Sequence, residues 1–431
     1  MQSFRMSNLL LVILLPSLCV SLTFAQAPDQ STENLVALAA KKERAFSRHR
    51  TYVLAVSFSP DGKRVASAGG DRVKVTNLES GKEILKLKNS RHMTFRSVAF
   101  SPDGQWLVGG QSYLKGQKTR RQGDRMITTF FHYGETLVWD AQTGAVQTTL
   151  NFHDYPAWQV AFSPDSRWLA IATGPVAEGR DCEKDLCEGV GEVFIIETKT
   201  WQLVSRLKGN PLPMRTLAFS PDSRLLAGSS RMIEGTGRLQ NEEAYEIFIW
   251  DVATGALKTS LPGHSRAITA LAFSADGQLL ASASRDRSLK VWDMKTSRQL
   301  RTASEYMISY DELESMADKS GKKKPKDMLP SISWLSGIVF TKDGEQIVGC
   351  GGDGIIRIYD TDSGKINRIV KPRDWPITSW DQPWDSSAIA FAFMYRRPPF
   401  YGLLNSIALS PDGTTLATGG ADGKIRLMSL E

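Results

Sequence analysis

A short motif recurs seven times along this chain, and it constrains the fold more than any other feature of the sequence. The motif is SPDG or a close variant, and its copies begin at Ser59, Ser101, Ser163, Ser220, Ser274, Thr341 and Ser410. An alternating apolar segment precedes each copy, such as AVSF before Ser59, and a second one follows, such as RVASA. Alternation on both sides of a Pro-Asp-Gly turn predicts a β-hairpin rather than a helix. The sequence therefore predicts seven related hairpins.

A third apolar segment follows every hairpin, and in six of the seven copies a turn and a fourth segment follow that. The third segments are VKVTN, TLVWD, VFIIE, IFIWD, LKVWD, IRIYD and IRLMS. The repeating unit is therefore four antiparallel strands. One such unit is too small to bury both of its faces, so the seven units must share one cooperative structure.

Two further signatures point to a known family. Gly263-His264 precedes the fifth hairpin, and third segments end in Trp-Asp at Trp139-Asp140, Trp250-Asp251 and Trp292-Asp293. With these signatures in register, the chain resembles the WD-repeat β-propeller family from about residue 42 to residue 431. The resemblance implies an all-β, seven-bladed β-propeller built from four-stranded antiparallel blades.

The seventh copy has no fourth segment of its own, because the chain stops at the end of the third one. An unpaired strand edge is a liability that proteins avoid. His49 lies ten residues before Ser59, as His264 lies ten before Ser274, which puts residues 42–48 at the fourth-strand position. Propellers that resemble this chain close their ring with both chain ends. We therefore expect residues 28–48 to supply the closing outer strand of a propeller formed by residues 49–431.

Residues 1–27 have the features of a secretory signal peptide. Arg5 precedes an apolar run from Leu9 to Leu15 that resumes through Val20, and the segment ends in Ala25-Gln26-Ala27. A basic start, a short apolar middle and small residues at the exit are typical of such peptides. The alternative, an uncleaved anchor, needs about 20 apolar residues to cross a bilayer. We expect an exported, bacterial-type member of the family, periplasmic or extracellular, whose mature chain has no transmembrane segment.

The chain is longer than seven plain repeats, and the surplus lies in five insertions at 111–134, 174–190, 230–243, 304–331 and 372–403. The first three separate second from third strands, and the last two separate fourth strands from the next first strands. In an antiparallel blade these two kinds of connection share one face. Long connections on a rigid scaffold usually carry binding function.

Two insertions have compositions that suit a binding surface. Residues 111–134 carry five cations against Asp124, and residues 372–403 hold eight aromatic residues. Solvation explains the basic insertion equally well, and a private small core explains the aromatic one. The candidate partner-binding residues are Arg120, Arg121, Trp375, Trp380, Trp384, Arg396, Arg397, Phe400 and Tyr401.

The fifth copy contains a serine, a histidine and an aspartate, the residue types of a hydrolase triad. However, an aspartate twelve residues after the hairpin start and a Ser or Thr eight after it recur in other copies, and a catalytic set would occur once. The resemblance implies a structural hydrogen-bonded network instead. Its predicted members are His264, Ser282, Asp286, Trp292, His49, Ser67, Asp71, Asp353, Thr418 and Asp422. We predict no catalytic, cofactor-binding or metal-binding residues.

Cysteine usage adds one candidate covalent link. Cys182 and Cys187 flank EKDL within an insertion, and in an exported protein such a pair favours a local disulfide. Metal binding is the alternative, although no cluster of further ligands lies nearby in sequence. Cys350 aligns with Ala283 on a second strand, which predicts a small core residue.

These features favour an exported, non-catalytic binding scaffold that presents its insertion-rich face to a protein partner or a cell-surface polymer such as a polysaccharide. One alternative is a propeller enzyme with its site at the central channel of that face. Another is a polyanion-binding module, which the net charge of +7 and the basic insertion would suit. That charge is a mild excess for 431 residues, so we expect no nucleic-acid partner.

Overall fold

Seven four-stranded antiparallel sheets make up the folded part of the chain. The computed structural model describes residues 44–46, 49–70, 72–88, 94–122, 125–153, 155–174, 191–210, 214–230, 245–303, 334–370 and 404–430. Each sheet corresponds to one repeat, and we number these sheets as blades one to seven in chain order. Within a blade the strands are called inner, second, third and outer.

The strands of the first four blades follow the sequence in simple up-and-down order. Blade one contains β2 (Ala55–Phe58), β3 (Arg64–Gly69), β4 (Arg72–Asn77) and β5 (Glu83–Lys88). Blade two contains β6 (Thr94–Phe100), β7 (Trp106–Gln122), β8 (Arg125–Asp140) and β9 (Val146–Leu150). Blade three contains β10 (Ala157–Phe162), β11 (Trp168–Thr173), β12 (Gly191–Glu197) and β13 (Gln202–Asn210). Blade four contains β14 (Met214–Phe219), β15 (Leu225–Ser230), β16 (Ile247–Asp251) and β17 (Leu257–Leu261).

The remaining blades keep this order, except that the seventh takes its outer strand from the other end of the chain. Blade five contains β18 (Ile268–Phe273), β19 (Leu279–Ser284), β20 (Leu289–Asp293) and β21 (Arg298–Ala303). Blade six contains β22 (Leu335–Phe340), β23 (Gln346–Gly351), β24 (Ile356–Asp360) and β25 (Ile366–Val370). Blade seven contains β26 (Leu404–Leu409), β27 (Thr415–Gly420), β28 (Ile425–Ser429) and β1 (Arg44–Phe46).

The inner strands form a closed ring. Each inner strand contacts the inner strand of the next blade, and β26 of blade seven contacts β2 of blade one. The second, third and outer strands follow in order away from this ring. The predicted seven-bladed propeller of four-stranded antiparallel blades is therefore confirmed.

The N-terminal segment closes the ring as the sequence predicted. Strand β1 pairs antiparallel with β28, in the register Arg44 to Leu427, Ala45 to Arg426 and Phe46 to Ile425. Immediately after it, the His49 amide donates to the Gly423 carbonyl at 2.9 Å. Blade seven therefore joins residues from both ends of the chain.

The core lies between neighbouring blades, where large side chains of one blade pack on the next. Phe95 and Trp139 are buried with apolar residues of blade one, and their ring centroids are 5.7 Å apart. Glycine makes room for the indole, because a Cβ at Gly109 would lie 2.8 Å from Trp139. Cys350 is fully buried in the core between blades six and seven, and burial raises the pKa of its thiol to about 12. The prediction that Cys350 is a small core residue is confirmed.

The SPDG-like turns close one face of the propeller with local hydrogen bonds. In the first of them the Ser59 hydroxyl donates to Asp61 at 2.5 Å and accepts from the Arg64 amide at 2.9 Å. The fourth turn position has a positive φ, which favours glycine, yet blades three and four place Ser166 and Ser223 there. Each of these serines accepts a hydrogen bond from a backbone amide in the preceding blade's turn, which offsets the strain.

The turns between third and outer strands lie on this same face, and an aspartate caps several of them. Asp140 of the Trp139-Asp140 pair accepts hydrogen bonds from the amides of Gln142 and Thr143 at 3.0 and 2.7 Å. Asp251, Asp293 and Asp360 bond the corresponding turns in blades four, five and six. We call this side the turn face. The opposite side, which carries the second-to-third and outer-to-inner connections, is the insertion face.

Residues 111–134 differ from the expected insertion between strands, because they lengthen the strands themselves. The pairing of β7 with β8 continues from Ser112 opposite Gly134 to Gln122 opposite Arg125, and residues 123–124 connect the two strands. Beyond Ser112 and Thr136 the described pairing joins these two strands only to each other. We call residues 113–135 the arm. At about 3.3 Å per residue, its strands extend roughly 30 Å past the blade.

Across the described ranges, none of the secondary structure is a helix with the length and apolar character needed to span a membrane.

Candidate functional site

Blade five contains a chain of hydrogen bonds through the four residues singled out there. Trp292 Nε1–H donates to Ser282 Oγ at 2.8 Å, and Ser282 Oγ lies 2.7 Å from His264 Nε2. His264 Nδ1 lies 2.8 Å from Asp286 Oδ2. One assignment of hydrogens satisfies every group: the serine donates to Nε2, and Nδ1–H donates to the carboxylate. The chain ties the outer-to-inner connection to the second and third strands of this blade.

Burial makes this series of hydrogen-bonded side chains unsuitable for nucleophilic catalysis. Ser282 is 0% exposed, His264 3% and Trp292 2%, so a substrate has no access to the serine oxygen. The indole N–H also occupies that oxygen. A nucleophilic serine needs an accessible oxygen and a base within hydrogen-bond reach, and here only the second condition holds.

The Asp286 carboxylate is stabilised in its charged form. Burial by itself would raise its pKa, but the hydrogen bonds from His264, the Ser288 hydroxyl and the Ser265 amide outweigh burial. The pKa of Asp286 therefore lies well below its ordinary value. A depressed pKa in the folded state means that the carboxylate adds stability above pH 4, and that this stability is lost as the pH falls toward the folded-state pKa.

We expect His264→Ala or Asp286→Asn to lower the free energy of unfolding by about 1–3 kcal/mol at pH 7, because each leaves buried polar partners unsatisfied. The difference in the free energy of unfolding between wild type and Asp286→Asn should narrow as the pH falls below about 4, where the carboxyl of Asp286 in the unfolded chain becomes protonated. Urea unfolding from pH 7 to pH 2.5 measures both effects. A gap that stays constant with pH would contradict the role given to the carboxylate.

Blade one repeats part of this arrangement. His49 Nε2 lies 2.8 Å from Ser67 Oγ, as His264 lies beside Ser282, and both residues are buried. Asp71, the predicted aspartate of this blade, lies outside the described residues. Thr76 stands where blade five has Trp292, so blade one has no indole N–H at this position to donate to Ser67.

Blades six and seven satisfy their aspartates differently from blade five. Asp353 accepts two hydrogen bonds from the Arg357 guanidinium at 3.2 and 2.5 Å, and Asp422 does the same with Arg426. Arg357 is 2% exposed and Arg426 is 0% exposed. The sequence reasoning missed both arginines, although each lies four residues after its aspartate on the adjoining third strand.

Thr418 takes the predicted position on the second strand of blade seven but not the predicted role. Its buried hydroxyl has no hydrogen-bond partner among the described residues. In the sequence, the residue ten positions before Ser410 is Phe400, whose side chain has no hydrogen-bonding group, whereas blades one and five have histidine at that spacing. An aligned hydroxyl is therefore not enough to form the network.

His153 is a further buried histidine that the sequence reasoning did not single out, although it lies ten residues before Ser163. Its Nδ1–H donates to the Tyr155 carbonyl at 2.7 Å, and its Nε2 lies 3.2 Å from the Thr136 hydroxyl of the preceding blade. Ile171 stands at the serine position of its own blade, so the imidazole bonds across the interface between blades two and three.

Two of the nine candidate partner-binding residues lie in the described part of the chain. Arg120 and Arg121 lie on β7 within the arm, in register with Ile127 and Met126. The remaining candidates, and both cysteines of the proposed disulfide, lie outside the described residues: Trp375, Trp380, Trp384, Arg396, Arg397, Phe400, Tyr401, Cys182 and Cys187. Within the ranges that the structure describes, no group of three or more His, Cys, Asp or Glu side chains could hold a metal ion.

A β-bulge recurs near the start of the inner strand in blades two to seven. The register between inner and second strand shifts by one residue at the same point in each of these blades. The bulged residues, five positions before each SPDG-like turn, are Arg96, Trp158, Arg215, Thr269, Ser336 and Asn405. A bulge re-aims its side chain. Since inner strands begin at the insertion face, these bulges lie at the insertion-face end of the ring of inner strands.

The bulged residues fall into two groups. In blades five, six and seven they are short and bond to a backbone carbonyl of the next blade: Thr269 to Leu335, Ser336 to Leu404 and Asn405 to Val53. In blades two, three and four they are large and stack on one another. The guanidinium carbons of Arg96 and Arg215 lie 4.1 and 2.9 Å from the Trp158 ring centroid. We call these three residues the arginine–tryptophan stack.

Six segments of the chain match the protein-family model described as WD domain, G-beta repeat. The matched residues are 40–75, 82–115, 144–182, 255–293, 328–360 and 400–428. Each segment contains the inner strand of one blade and the SPDG-like turn that follows it. The chain is a member of the WD40-repeat family.

Blade four has the same four strands but no matched WD40 segment. It departs from the pattern of blade five at two positions: Asn210 stands at the histidine position and Gly228 at the serine position. The Trp250 indole N–H consequently has no partner among the described residues. The fold of this WD40 repeat is retained because its apolar strands still pack between neighbouring blades.

Similarity to named WD40-repeat proteins is low but extends over much of the chain. Eukaryotic translation initiation factor 3 subunit I of Debaryomyces hansenii is 25% identical over 74% of this chain and 91% of its own length. Periodic tryptophan protein 2 homolog of Dictyostelium discoideum is 25% identical over 67% of this chain. WD repeat-containing protein SL1-17 of Schistosoma mansoni is 32% identical over 38% of it.

The chain spans 24% of the length of the Dictyostelium relative and 45% of that of the Schistosoma relative. All three organisms are eukaryotes, so these similarities give no support to a bacterial-type, exported member of the family.

Proposed function

We propose that this WD40-repeat chain is a non-catalytic scaffold that binds a protein partner through its insertion face. One observation carries the proposal: the arm lies on that face, and so do the described strand ends on either side of the other four insertions. Among the described residues, the connections on the turn face are short turns that are internally hydrogen bonded. A stable protein interface needs roughly 1,200–2,000 Å² of buried surface, and the insertion face is better suited than the turn face to supply that area.

The absence of catalysis in this proposal rests on the blade-five residues. They are the only Ser-His-Asp set singled out in the sequence, and they are buried in a repeat framework. Part of the same hydrogen-bonded network, the contact of His49 with Ser67, recurs in blade one, as expected for a structural network that holds connections in place.

The expected result of a direct test is that a partner crosslinks to the insertion face. The paired substitution Arg120→Glu with Arg121→Glu, or Trp380→Ala with Trp384→Ala, should weaken capture without lowering the melting temperature. The matched control is Lys342→Glu with Glu345→Lys, a charge reversal at two exposed residues on the turn face. Asp61 is a poorer control, because its carboxylate holds the first SPDG turn. Crosslinks that map to the SPDG-like turns would overturn the proposal.

Export is part of the same proposal and rests on residues 1–27 alone. A bacterial expression host should secrete the chain and remove this segment, so N-terminal sequencing of the exported protein should begin at or near Pro28. Replacing Ala25 and Ala27 by lysine should block removal, because signal peptidase requires small residues there. Recovery of the uncleaved wild-type chain from the cytoplasmic fraction alone would contradict export.

A further inference from the structure

Among the described strands, the arm is a two-stranded ribbon that pairs with no third strand. Its strands pair with each other from Ser112 opposite Gly134 to Gln122 opposite Arg125. The described pairing of β6 with β7 stops at Ser112, and that of β8 with β9 stops at Thr136. A two-stranded ribbon is at best marginally stable alone in water, and independent stability needs three or more strands. A further strand would therefore stabilise the arm.

The two strands of the arm differ in charge. Residues 114–122 of β7 contain no acidic residue and four cationic ones: Lys115, Lys118, Arg120 and Arg121. Residues 126–133 of β8, MITTFFHY, contain no Lys, Arg, Asp, Glu, Gly or Pro and are rich in β-branched and aromatic residues. Charged residues, lysine above all, protect edge strands, and an edge without them is a template for pairing with another chain. The β8 edge of the arm therefore has the composition of a strand that is paired.

The β8 edge lies on the side of the arm that is away from the ring of inner strands. The strand order in blade two is β6, β7, β8, β9, so the arm portion of β8 continues the side on which β9 pairs. At the base of the arm, a Cβ at Gly134 would lie 2.4 Å from the Tyr155 carbonyl, so blade three occupies this point. Next to it, Tyr113 and Tyr133 are opposite each other, and their ring centroids are 6.0 Å apart. The edge that a further strand could use therefore runs from Tyr133 to Arg125.

We propose that the β8 edges of two copies of this chain pair antiparallel and join the two arms into one four-stranded sheet. A twofold axis beside Thr129, the midpoint of Arg125–Tyr133, pairs this segment over its full length. It places Thr128 opposite Phe130 of the second copy, and pairs of β-branched and aromatic residues stabilise antiparallel strands. This inference goes beyond the proposed function, because the partner is a second copy of the chain itself.

Charge selects the β8 edge and ends the assembly at two copies. Pairing of two β7 strands in the same way would set Lys118 opposite Lys118 and Lys115 opposite Arg121, and like charges directly opposite destabilise a sheet. Pairing through β8 separates the two β7 strands by three strand spacings, about 14 Å, which exceeds the Debye length of about 8 Å at physiological ionic strength. The four-stranded sheet then has a cationic strand at each outer edge, so neither edge accepts a third copy.

Sedimentation velocity of the full chain over a range of micromolar concentrations measures this self-association. We expect wild type to dimerise, and we expect Thr128→Lys with Phe130→Lys to raise the dissociation constant at least about tenfold, since each dimer then sets like charges opposite each other. The matched control is Gln117→Lys with Thr119→Lys, because Gln117 and Thr119 pair with Phe130 and Thr128 within the arm. The control adds the same charges at the same distance along the arm but on β7, and it should leave the dissociation constant unchanged. Any association through residues 1–27 is common to all three chains.

A mixing experiment tests the antiparallel register. We call Thr128→Lys with Phe130→Lys the lysine variant and Thr128→Glu with Phe130→Glu the glutamate variant. Each should dimerise weakly alone, but the two together should form a heterodimer, because each lysine then lies opposite a glutamate across the twofold axis. Failure of the mixed variants to associate would count against pairing of β8 with β8.

Three further outcomes would overturn self-pairing: a wild-type chain that is monomeric at every concentration, a lysine variant that dimerises like wild type, and a control that dissociates as much as the lysine variant. If wild type is monomeric and only the lysine variant fails to capture a partner, the β8 edge belongs to a strand of that partner, and self-pairing is wrong. A monomeric chain that captures a partner on the insertion face leaves the proposed function standing. Crosslinks of a partner to the turn face of an intact dimer would reject the proposed function alone.

Discussion

Deletion of residues 28–48 should destabilise the whole ring, because the outer strand of blade seven is β1. The deletion removes the backbone ladder from Arg44–Phe46 to β28 and uncovers Ile425 and Leu427, which are 1% and 7% exposed in the closed ring. At about 1 kcal/mol per hydrogen bond and with the lost apolar burial, we expect the free energy of unfolding to fall by about 3 kcal/mol or more. Thermal and urea unfolding measure this loss. The free edge of β28 should also promote self-association, visible in sedimentation velocity.

The control deletion removes residues 28–41 and keeps β1, and it should melt close to the intact chain. A synthetic peptide of residues 40–48 added in excess to the longer deletion should raise its melting temperature, since the peptide can refill the vacant edge of blade seven. If the chain without residues 28–48 has the same melting temperature as the intact chain, and the added peptide does not change it, closure by β1 contributes nothing to stability.

Asp422→Ala should be the most damaging single substitution that we predict. Arg426 is 0% exposed, and Asp422 accepts hydrogen bonds from both of its terminal nitrogens. Asp422 also accepts from the Lys424 amide at 3.1 Å, so the carboxylate fixes the turn as well as the charge. Removing one partner of a buried ion pair leaves an uncompensated charge, which costs about 3–5 kcal/mol. Chemical unfolding at pH 7 checks this value.

Two variants sharpen that test. Asp422→Ala combined with Arg426→Met removes both charges and should recover most of the lost stability, because the penalty comes from the uncompensated guanidinium. Asp362→Ala changes an exposed aspartate in a turn of blade six and should stay within about 0.5 kcal/mol of wild type. A double variant as unstable as Asp422→Ala alone would show that the carboxylate acts on the turn and not on the charge.

Much of the fold could be predicted because it follows from interactions between residues that are close in sequence. The period-two alternation around each SPDG-like turn predicts a hairpin from a few neighbouring residues, and seven such hairpins predict seven blades. The closing strand followed from the spacing of His49 to Ser59, and the structure pairs Arg44–Phe46 with β28. The sequence also marked the blade-five residues that the structure brings within hydrogen-bond distance, because all four lie in one repeat.

The side-chain contacts of the candidate site could not be predicted in full, because the repeat pattern does not show which side chains meet. The aspartate of blade five meets His264 of the outer-to-inner connection, whereas the aspartate of blade seven meets Arg426 of its own third strand, and the repeat pattern does not mark which partner is used. The lengthened strands of the arm occupy a stretch that resembled an insertion, since its residues alternate too weakly to mark strands.

The sequence by itself determined the repeat, the number of blades and the way the ring closes, because each follows from turns and alternation within one unit. Tertiary structure alone decided which side chains meet between units. A one-residue bulge on the inner strand turns Arg96, Trp158 and Arg215 toward one another although they lie 62 and 57 residues apart in sequence. A bulge leaves the apolar pattern almost unchanged while it redirects a side chain, so only the packing of three blades around the channel shows that the stack exists.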